Sequence, residues 1–280
     1  MKCVICRSKA TFWNKVNKHK IYECKSCKHG FVYPLYSLEK VKNIYSFSGH
    51  GSKEKADYQM ILEREEIYPN SSVDATRIVK NFKHISQGTV KNVLDVGAGF
   101  GFLTRELVSN NFTVDTLEFA PQEREILKKI TGVDSIDLPY EEYEPDLKYD
   151  AVFMSQVLEH SYDPSMWADK TASNLRNGGY WIIAVPNFVS LFRFFMGKKE
   201  FYIIPPVHLN FFSYKSSVKM LENYGFEIVY FETISRLPFH KYYIFKGKYN
   251  PFRLTIIFLL KVIDKCRLGM MLNIYARKIG

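Results

Sequence analysis

From residue 90 onward, short apolar runs alternate with segments whose apolar residues recur at helical spacing. The apolar runs predict seven strands, at residues 90–96, 112–117, 133–138, 149–154, 180–185, 226–233 and 271–277. Helices are predicted at residues 102–109, 121–129, 164–175, 216–224 and 251–265. Because strands that alternate with helices form a mostly parallel sheet covered on both faces, the pattern predicts an α/β fold.

The first predicted strand runs into three glycines at alternate positions, Gly97, Gly99 and Gly101, and a helix follows at once. Glycine permits positive φ and lets the backbone approach a ligand closely. The start of a helix presents N–H groups that have no partner within the helix. The three parts together predict a nucleotide cradle, although G-x-G-x-x-G would need glycine where Phe102 stands.

With Asp95 in front, the loop reads D-x-G-x-G-x-G and resembles the first motif of class I S-adenosylmethionine (SAM) methyltransferases. In that family the glycine loop packs against the methionine part of SAM. Glu118 ends the second predicted strand, where an acidic residue binds ribose hydroxyls in nucleotide-binding sheets. Phe119 is expected to lie against the adenine or only to pack. Either Asp134 or Asp137 could reach the adenine amino group, and the sequence does not choose between them.

Two later segments carry the same resemblance. Residues 149–164, Y-D-A-V-F-M-S-Q-V-L-E-H-S-Y-D-P, resemble the fourth-strand motif of small-molecule methyltransferases of this class, and residues 176–180 resemble the turn that follows. The resemblance is firm over about residues 90–185 and loose elsewhere. It implies a Rossmann-like, seven-stranded, mostly parallel sheet. Gln156 follows the fourth strand, where ligands gather, and is predicted to contact the cofactor.

Four of the five cysteines form two C-x₂-C pairs, Cys3 with Cys6 and Cys24 with Cys27. This spacing predicts a zinc ribbon, in which four thiolates surround one Zn²⁺ and leave no position open for chemistry. Two disulfides are the alternative, which a cytosolic location disfavours. The segment also resembles the cysteine ribbon that precedes some bacterial methyltransferases, several of which modify sugars or act in surface-polysaccharide pathways. Cys266 stands alone and is expected to be buried.

The chain is expected to divide into a zinc ribbon (1–34), a helical connector or cap (35–88) and a SAM-binding methyltransferase domain (89–280). Helices are predicted in the connector at residues 53–67 and 74–82. The aromatic-rich residues 187–215 interrupt the alternation and contain an H-L-x-x-F-S segment that resembles one in the same methyltransferases. They are predicted to form a substrate lid, and an apolar cap that only completes the core is the alternative.

Methyl transfer from SAM is an in-line displacement that depends mainly on alignment of the nucleophile with the methyl group. An alcohol acceptor also has to lose its proton. Histidine titrates near neutrality, so His160 and His208 are the candidate catalytic bases, with His208 preferred. Glu159 is expected to orient a loop.

The predicted function is methyl transfer to a small polar acceptor, a sugar or a sugar nucleotide hydroxyl. The net charge of +10, from 39 Lys and Arg against 29 Asp and Glu, favours an anionic partner. RNA methylation, with the ribbon gripping phosphates, is therefore an alternative. The S-Q-V-L-E-H segment at 155–160 differs from the N-P-P-Y type that holds a flipped base. A non-catalytic scaffold is the third hypothesis, which the intact glycine loop and Glu118 disfavour.

The N-terminal residues lack the apolar core of a signal peptide. The most apolar late stretch, residues 254–263, is too short to span a bilayer. A cytoplasmic location is therefore expected. The helix at 251–265 is predicted to pack on the sheet, with contact to a membrane surface as the alternative.

Overall fold

The computed structural model describes residues 1–46, 56–88, 90–235 and 251–280, without the side chains of residues 251–253. The strands in this part of the chain are β1 (Ala10–Val16), β2 (His19–Cys24), β3 (Gly30–Tyr33), β4 (Asn92–Val96), β5 (Thr113–Leu117), β6 (Tyr149–Ser155), β7 (Leu175–Pro186), β8 (Asn210–Phe211), β9 (Phe226–Ile234) and β10 (Met271–Lys278). The helices are α1 (Leu38–Tyr45), α2 (Tyr58–Ile67), α3 (Asn70–Ser86), α4 (Phe102–Ser109), α5 (Pro121–Thr131), α6 (Pro164–Asn174), α7 (Leu191–Met196), α8 (Tyr214–Asn223) and α9 (Pro251–Lys265).

The larger sheet has the strand order β5-β4-β6-β7-β10-β9. Strands β5, β4, β6 and β7 are parallel, whereas β10 runs antiparallel to both of its neighbours. Residues 151–154 in β6 are all fully buried, as expected for a central strand covered on both faces. The predicted α/β fold with a mostly parallel sheet is thus confirmed.

Within the described residues the sheet has six strands, so the prediction of seven was wrong. The expected third strand, at residues 133–138, contributes only a single parallel bridge between Ile136 and Leu117. Its sequence explains the shortfall, because Asp134 and Asp137 interrupt the apolar residues and Pro139 follows. Aspartate and proline are unfavourable in strands, and an edge position offers a strand only one pairing partner.

Helices cover both faces of this sheet. On one face, Ile78 and Phe82 of α3 pack against Phe153 of β6 in one apolar cluster. On the other face, Trp167 of α6 and Leu221 of α8 belong to a second cluster with the opposite side chains of the same strands. The alternation of side chains along each strand therefore builds two apolar layers around one sheet.

The N-terminal residues form a smaller antiparallel sheet with the order β1-β2-β3-β8. Its last strand comes from the aromatic-rich segment, since Phe211 pairs with Gly30 and Asn210 with Phe31. One apolar cluster joins β2 and β3 to α1 and to the aromatic-rich segment, and it includes Ile21, Val32, Val41, Phe188, Ile203, Leu209 and Phe211. Cys3, Ile5, Cys24 and Cys27 belong instead to the cluster of the larger sheet that contains Trp167. The cysteine module and part of residues 187–215 are consequently packed as one unit.

Two predicted boundaries differ from the structure for local reasons. Helix α3 was expected at 74–82, yet it begins at Asn70 because Pro69 occupies its N-cap position, and proline is tolerated where helices begin. Strand β7 begins at Leu175 and includes Gly178, whose φ of +74° accommodates an irregularity in the pairing with β6. Residues 53–55 of the helix predicted at 53–67 lie outside the described residues.

Helix α9 contacts β9 and buries Leu260, but it leaves Leu254, Phe258, Leu259 and Val262 exposed. Among the described residues, no helix is long and apolar enough to cross a membrane. Cys266, which follows α9, is exposed rather than buried as expected. It lies at a helix end on the surface, where no apolar layer covers it.

Candidate functional site

The glycine loop lies at the carboxyl end of β4, and all three of its glycines have positive φ: +63° at Gly97, +55° at Gly99 and +85° at Gly101. A Cβ atom on Gly97 would lie 2.7 Å from the Val157 side chain, and one on Gly101 would lie 2.9 Å from Leu127. A Cβ atom on Gly99 would meet nothing within 4 Å. Crowding and backbone conformation thus demand glycine at the ends of the loop, whereas its middle faces open space.

Glu118, at the end of β5, holds the middle of this loop. Its carboxylate accepts one hydrogen bond of 2.8 Å from the Gly99 N–H and another of 2.8 Å from the Ala120 N–H. The residue is 6% exposed, and this burial raises the pKa of Glu118 to about 7. Glu118, the residue predicted to bind ribose, therefore lies at the glycine loop, where two backbone N–H groups donate to its carboxylate.

Asp95, in β4, supports the loop from inside the protein. It is 1% exposed and accepts a 2.7 Å hydrogen bond from the Thr104 hydroxyl in α4. Burial is the main reason that the pKa of Asp95 is raised to about 7. Asp95 thus ties the strand before the glycines to the helix after them, and its carboxylate does not face solvent.

Arg124, in α5, organises the segment beyond Glu118. Its Nη1 atom donates to the carbonyl oxygens of Glu118, at 3.2 Å, and Phe119, at 2.8 Å, and it forms an ion pair with Asp137. Phe119 itself is half-buried. Of the two aspartates that the sequence left open, Asp137 is therefore linked to this segment. Asp134 pairs with Lys128, and 87% of its side chain is exposed.

Gln156 follows β6 and has a positive φ of 60°. Such a backbone is uncommon for a residue other than glycine and often marks a functional loop. The Gln156 side chain is exposed, and its Nε2 atom lies 3.4 Å from the Ala184 carbonyl oxygen. The neighbouring Val157 packs beside Gly97, so the loop after β6 lies directly against the glycine loop.

The two histidines predicted as catalytic bases meet at the loop after β6. The rings of His160 and His208 have centroids 5.0 Å apart and stand edge to face. The Tyr45 hydroxyl, at the end of α1, lies 2.7 Å from His160 Nδ1. His208 donates through Nδ1 to the Tyr202 carbonyl oxygen at 2.7 Å. Three separate segments of the chain thus converge on one cluster.

Glu159 completes this cluster, which we call the histidine cluster: Tyr45, Glu159, His160 and His208. Glu159 is 1% exposed, and neither of its carboxylate oxygens has a hydrogen-bond partner within the described part of the chain. Burial raises the pKa of Glu159 to about 8. Burial, together with the neighbouring His160, lowers the pKa of His208 to about 3, so that His208 is neutral at physiological pH.

Sequence reasoning did not select Tyr45, Thr104 or Arg124. Thr104 lies in the first turn of the helix after the glycines, a position at which a polar residue can face back to the strand. For Tyr45 the sequence carries no such signal. Its contact with His160 joins residues 115 positions apart and depends on how α1 packs.

The four N-terminal cysteines come together, and their ligand atoms all lie within 4.8 Å of one another. The Sγ atoms of Cys3 and Cys27 are 3.7 Å apart, and those of Cys6 and Cys24 are 3.5 Å apart. A disulfide would require about 2.05 Å. A tetrahedral zinc site with Zn–S bonds of about 2.3 Å places its sulfur atoms roughly 3.8 Å apart. The spacing therefore fits a metal and not disulfides.

Solved structures share this architecture. A SAM-dependent methyltransferase from Archaeoglobus fulgidus aligns with a TM-score of 0.56 and 20% identity, over 79% of this chain and 100% of its own. A methyltransferase from Clostridium acetobutylicum aligns at 0.54 with 9% identity, over 80% and 99%. The 1,6-didemethyltoxoflavin-N1-methyltransferase of Burkholderia thailandensis aligns at 0.52 with 13% identity, over 98% and 100%. At such low identities these likenesses show the fold.

Among curated proteins none matches the sequence. The sequence profile of the methyltransferase domain family, however, matches residues 72–230. That range contains the glycine loop, Glu118, the loop after β6 and both histidines of the cluster. Since the match covers more than half of the chain, the protein belongs to the methyltransferase domain family and is a SAM-dependent methyltransferase.

Proposed function

We propose that this enzyme transfers the methyl group of SAM to a hydroxyl group of a small polar acceptor, a sugar or a sugar nucleotide. The observation that carries the proposal is the histidine cluster on the loop after β6, the loop whose Val157 packs against Gly97. A hydroxyl nucleophile has to lose a proton, and this cluster places imidazole and carboxylate groups where that proton is lost. The Burkholderia relative, similar over 98% of this chain, has a small molecule and S-adenosylhomocysteine bound, which supports a small acceptor.

The residues around the glycine loop define the SAM site in this proposal. The open space over Gly99 takes the methionine part, and the Glu118 carboxylate accepts hydrogen bonds from the ribose hydroxyls. Phe119 lies against the adenine, and Asp137, which Arg124 holds beside it, accepts from the adenine amino group. Gln156 contacts the cofactor from the loop after β6.

The reaction forms one bond and breaks one. The acceptor oxygen bonds to the methyl carbon while the carbon–sulfur bond breaks, and the electron pair stays on sulfur in S-adenosylhomocysteine. The hydroxyl proton is lost at the histidine cluster. Within it, His160 is half-buried and His208 is 6% exposed, so His160 presents the more accessible edge to an acceptor.

We propose that the four cysteines bind one structural Zn²⁺. Their sulfur separations support this, and so does the way the module is built into the protein. The Ser213 hydroxyl donates to the Cys27 carbonyl oxygen at 2.7 Å, and β3 pairs with β8. A ribbon that is tied to the enzyme body in this way serves as scaffold for residues 187–213.

Transfer of a tritium-labelled methyl group from SAM tests the proposal. Purified enzyme is incubated separately with free sugars, nucleotide sugars and RNA, and we expect label only in a sugar-containing fraction. His160→Gln should lower the turnover number by about 100-fold or more, the usual contribution of a proton-transfer group, and leave SAM affinity unchanged. His84→Gln, which changes a histidine in α3 away from the site, is the matched control.

Two results would contradict the proposal. Label that appears only in RNA, with a binding constant that falls steeply with salt, would assign the enzyme to nucleic acid instead. Full turnover of His160→Gln would remove the histidine cluster from the reaction.

A further inference from the structure

We propose that Glu159, His160 and His208 bind a divalent transition-metal ion beside the acceptor site, separate from the ribbon zinc. Binding of the ion stands on geometry alone, and its role in catalysis rests on the proposed function. The ligand atoms of the three residues lie within 4.8 Å of one another. Two imidazoles and one carboxylate suit zinc, iron and manganese, and three protein ligands leave coordination positions open.

His208 is oriented as metal-binding histidines are. Its Nδ1–H donates to the Tyr202 carbonyl oxygen at 2.7 Å, which fixes the tautomer and leaves the lone pair on Nε2. A backbone carbonyl that holds the second nitrogen in this manner is a regular companion of metal-ligating imidazoles. The residue is 6% exposed, so its lone pair is turned toward protein and not toward bulk water.

His160 faces a carbonyl oxygen with each ring nitrogen. Nδ1 lies 2.8 Å from the Val207 oxygen, and Nε2 lies 3.1 Å from the Gln156 oxygen. A neutral imidazole has one N–H and can donate to only one of them. The Tyr45 hydroxyl also lies 2.7 Å from Nδ1 and can donate to it, so both nitrogens have partners. The nitrogen that does not carry the proton holds the lone pair that a metal would bind.

Glu159 supplies the carboxyl oxygen ligand of the site. It is 1% exposed, and both carboxylate oxygens lack a hydrogen-bond partner among the described residues. A buried carboxyl group without hydrogen-bond partners is costly to the folded state. A metal ion between Glu159 and the two imidazoles provides the missing interaction and explains why the chain keeps an acid there.

The two metal sites differ in what they can do. Four cysteine thiolates fill a tetrahedral shell. The proposed site keeps positions for water or for the acceptor oxygen, and a metal there acts as a Lewis acid that lowers the pKa of a bound hydroxyl. With both imidazoles bound to the metal, the acceptor proton lost at the cluster would pass to solvent, while the oxygen bonds to the methyl carbon and the carbon–sulfur electron pair returns to sulfur.

Metal content tests the site without any need for methyl transfer. Protein is saturated with Zn²⁺, desalted and analysed by atomic emission, since Zn²⁺ binds such ligands at least as tightly as Mn²⁺ or Fe²⁺. We expect about two zinc ions per wild-type chain and about one in Glu159→Gln and in His208→Gln, from the arithmetic of one four-ligand and one three-ligand site. Glu123→Gln, which alters a fully buried carboxylate in α5, is the matched control and should keep both.

Titration of zinc into protein that already holds one ion gives the affinity. Loss of a ligand should weaken the second site by at least tenfold, the loss that even supporting residues cause. SAM affinity is measured on each variant to show that its fold is intact. If Glu159→Gln fails to bind SAM, His160→Gln is used in its place. One zinc per wild-type chain, or two in the folded variants, would overturn the proposal. If the protein binds two zinc ions but does not methylate sugars, the proposed acceptor is wrong and the proposed metal site is supported.

Discussion

At the scale of single residues, Asp95 and Glu118 are two buried carboxylates on either side of the glycine loop. Asp95 accepts from the Thr104 hydroxyl, whereas Glu118 accepts from two backbone N–H groups, one of them Gly99. Burial raises the pKa of both to about 7. Of these two carboxylates, Glu118 contacts the loop backbone and is the proposed ribose-binding residue, so the protonation state of Glu118 is expected to govern SAM binding.

SAM affinity should fall by about tenfold from pH 8 to pH 6 because ribose binding needs Glu118 ionised and its pKa is about 7 in the unliganded protein. Calorimetry at both pH values measures this. The unliganded protein should show the opposite trend in stability. The raised pKa of Glu118 stabilises the folded protein at a pH below about 4.3, which is the pKa of glutamate in the unfolded chain. This stabilisation is lost as the pH rises through about 7, the pKa of Glu118 in the folded protein.

Glu118→Gln provides the control for this pH dependence. The amide cannot ionise, so the variant should bind SAM weakly at both pH values with a flattened profile. An unchanged tenfold slope in the variant would show that another group, such as Asp95, sets the pH dependence.

A second residue-scale prediction separates crowding from backbone strain. Gly101 and Gly132 both have positive φ, of +85° and +74°, but only at Gly101 would a Cβ atom meet neighbours, at 2.9 Å. Gly132→Ala should therefore cost roughly 1–2 kcal/mol of unfolding free energy, the strain of a left-handed backbone. Gly101→Ala should cost about 1–3 kcal/mol more through overpacking. Equal costs in urea denaturation would exclude the crowding argument.

At the scale of elements, the short strand β8 joins the cysteine module to the rest of the protein. Asn210 donates through Nδ2 to the Ser161 carbonyl oxygen at 2.6 Å, and its Oδ1 lies 3.3 Å from His29 Nε2. Burial lowers the pKa of His29 to about 3, which keeps that ring neutral. One side chain thus connects the cysteine module, the loop after β6 and the segment that carries His208.

Asn210→Ala should lower the unfolding free energy by about 1–3 kcal/mol because it leaves buried polar groups of His29 and Ser161 without a partner. Chemical denaturation measures the change. Asn223→Ala, at an exposed position in α8, should change stability by less than about 0.5 kcal/mol. A cost at Asn210 no larger than at Asn223 would mean that the connection contributes nothing to stability.

Removal of a proposed zinc ligand should destabilise both the cysteine module and the segment that pairs with it. Cys24→Ser is expected to lose the ribbon zinc and to lower the melting temperature, since structural zinc contributes directly to folding. Because β3 pairs with β8, limited proteolysis should then cleave within residues 187–212. Cys266→Ser changes an exposed cysteine and is the control. Resistance of that segment in Cys24→Ser would show that it folds independently of the ribbon.

At the scale of the whole molecule, two sheets supply one site. The large sheet provides the glycine loop, Glu118 and the loop after β6. The ribbon unit and α1 bring Tyr45 and His208 against that loop, where they meet His160. The residues proposed to bind the cofactor therefore come from one sheet, and the cluster proposed for the acceptor comes from the junction of both.

SAM should stabilise the whole protein. A ligand at 100 times its dissociation constant adds about 2.7 kcal/mol to the folded state. For a chain of this length that corresponds to a rise in melting temperature of roughly 5–10 °C. Differential scanning fluorimetry with SAM and with S-adenosylhomocysteine measures it. No rise with either compound would remove the cofactor assignment.

The sequence alone determined the elements that depend on local pattern. Strand and helix periodicity gave the α/β order, the three glycines marked the turn between β4 and α4, and Glu118 stood at a strand end. These features are readable because side-chain spacing and positive φ are local requirements. The family resemblance added methyl transfer from SAM, which the match over residues 72–230 bears out.

Only the tertiary structure decided what joins distant residues. The third predicted strand is reduced to a bridge because Asp134, Asp137 and Pro139 disfavour a strand and the edge position offers it only one pairing partner. The pairing of β8 with β3 and the contact of Tyr45 with His160 link positions more than 100 apart. No local pattern encodes such contacts, since they depend on how elements distant in the sequence pack against one another.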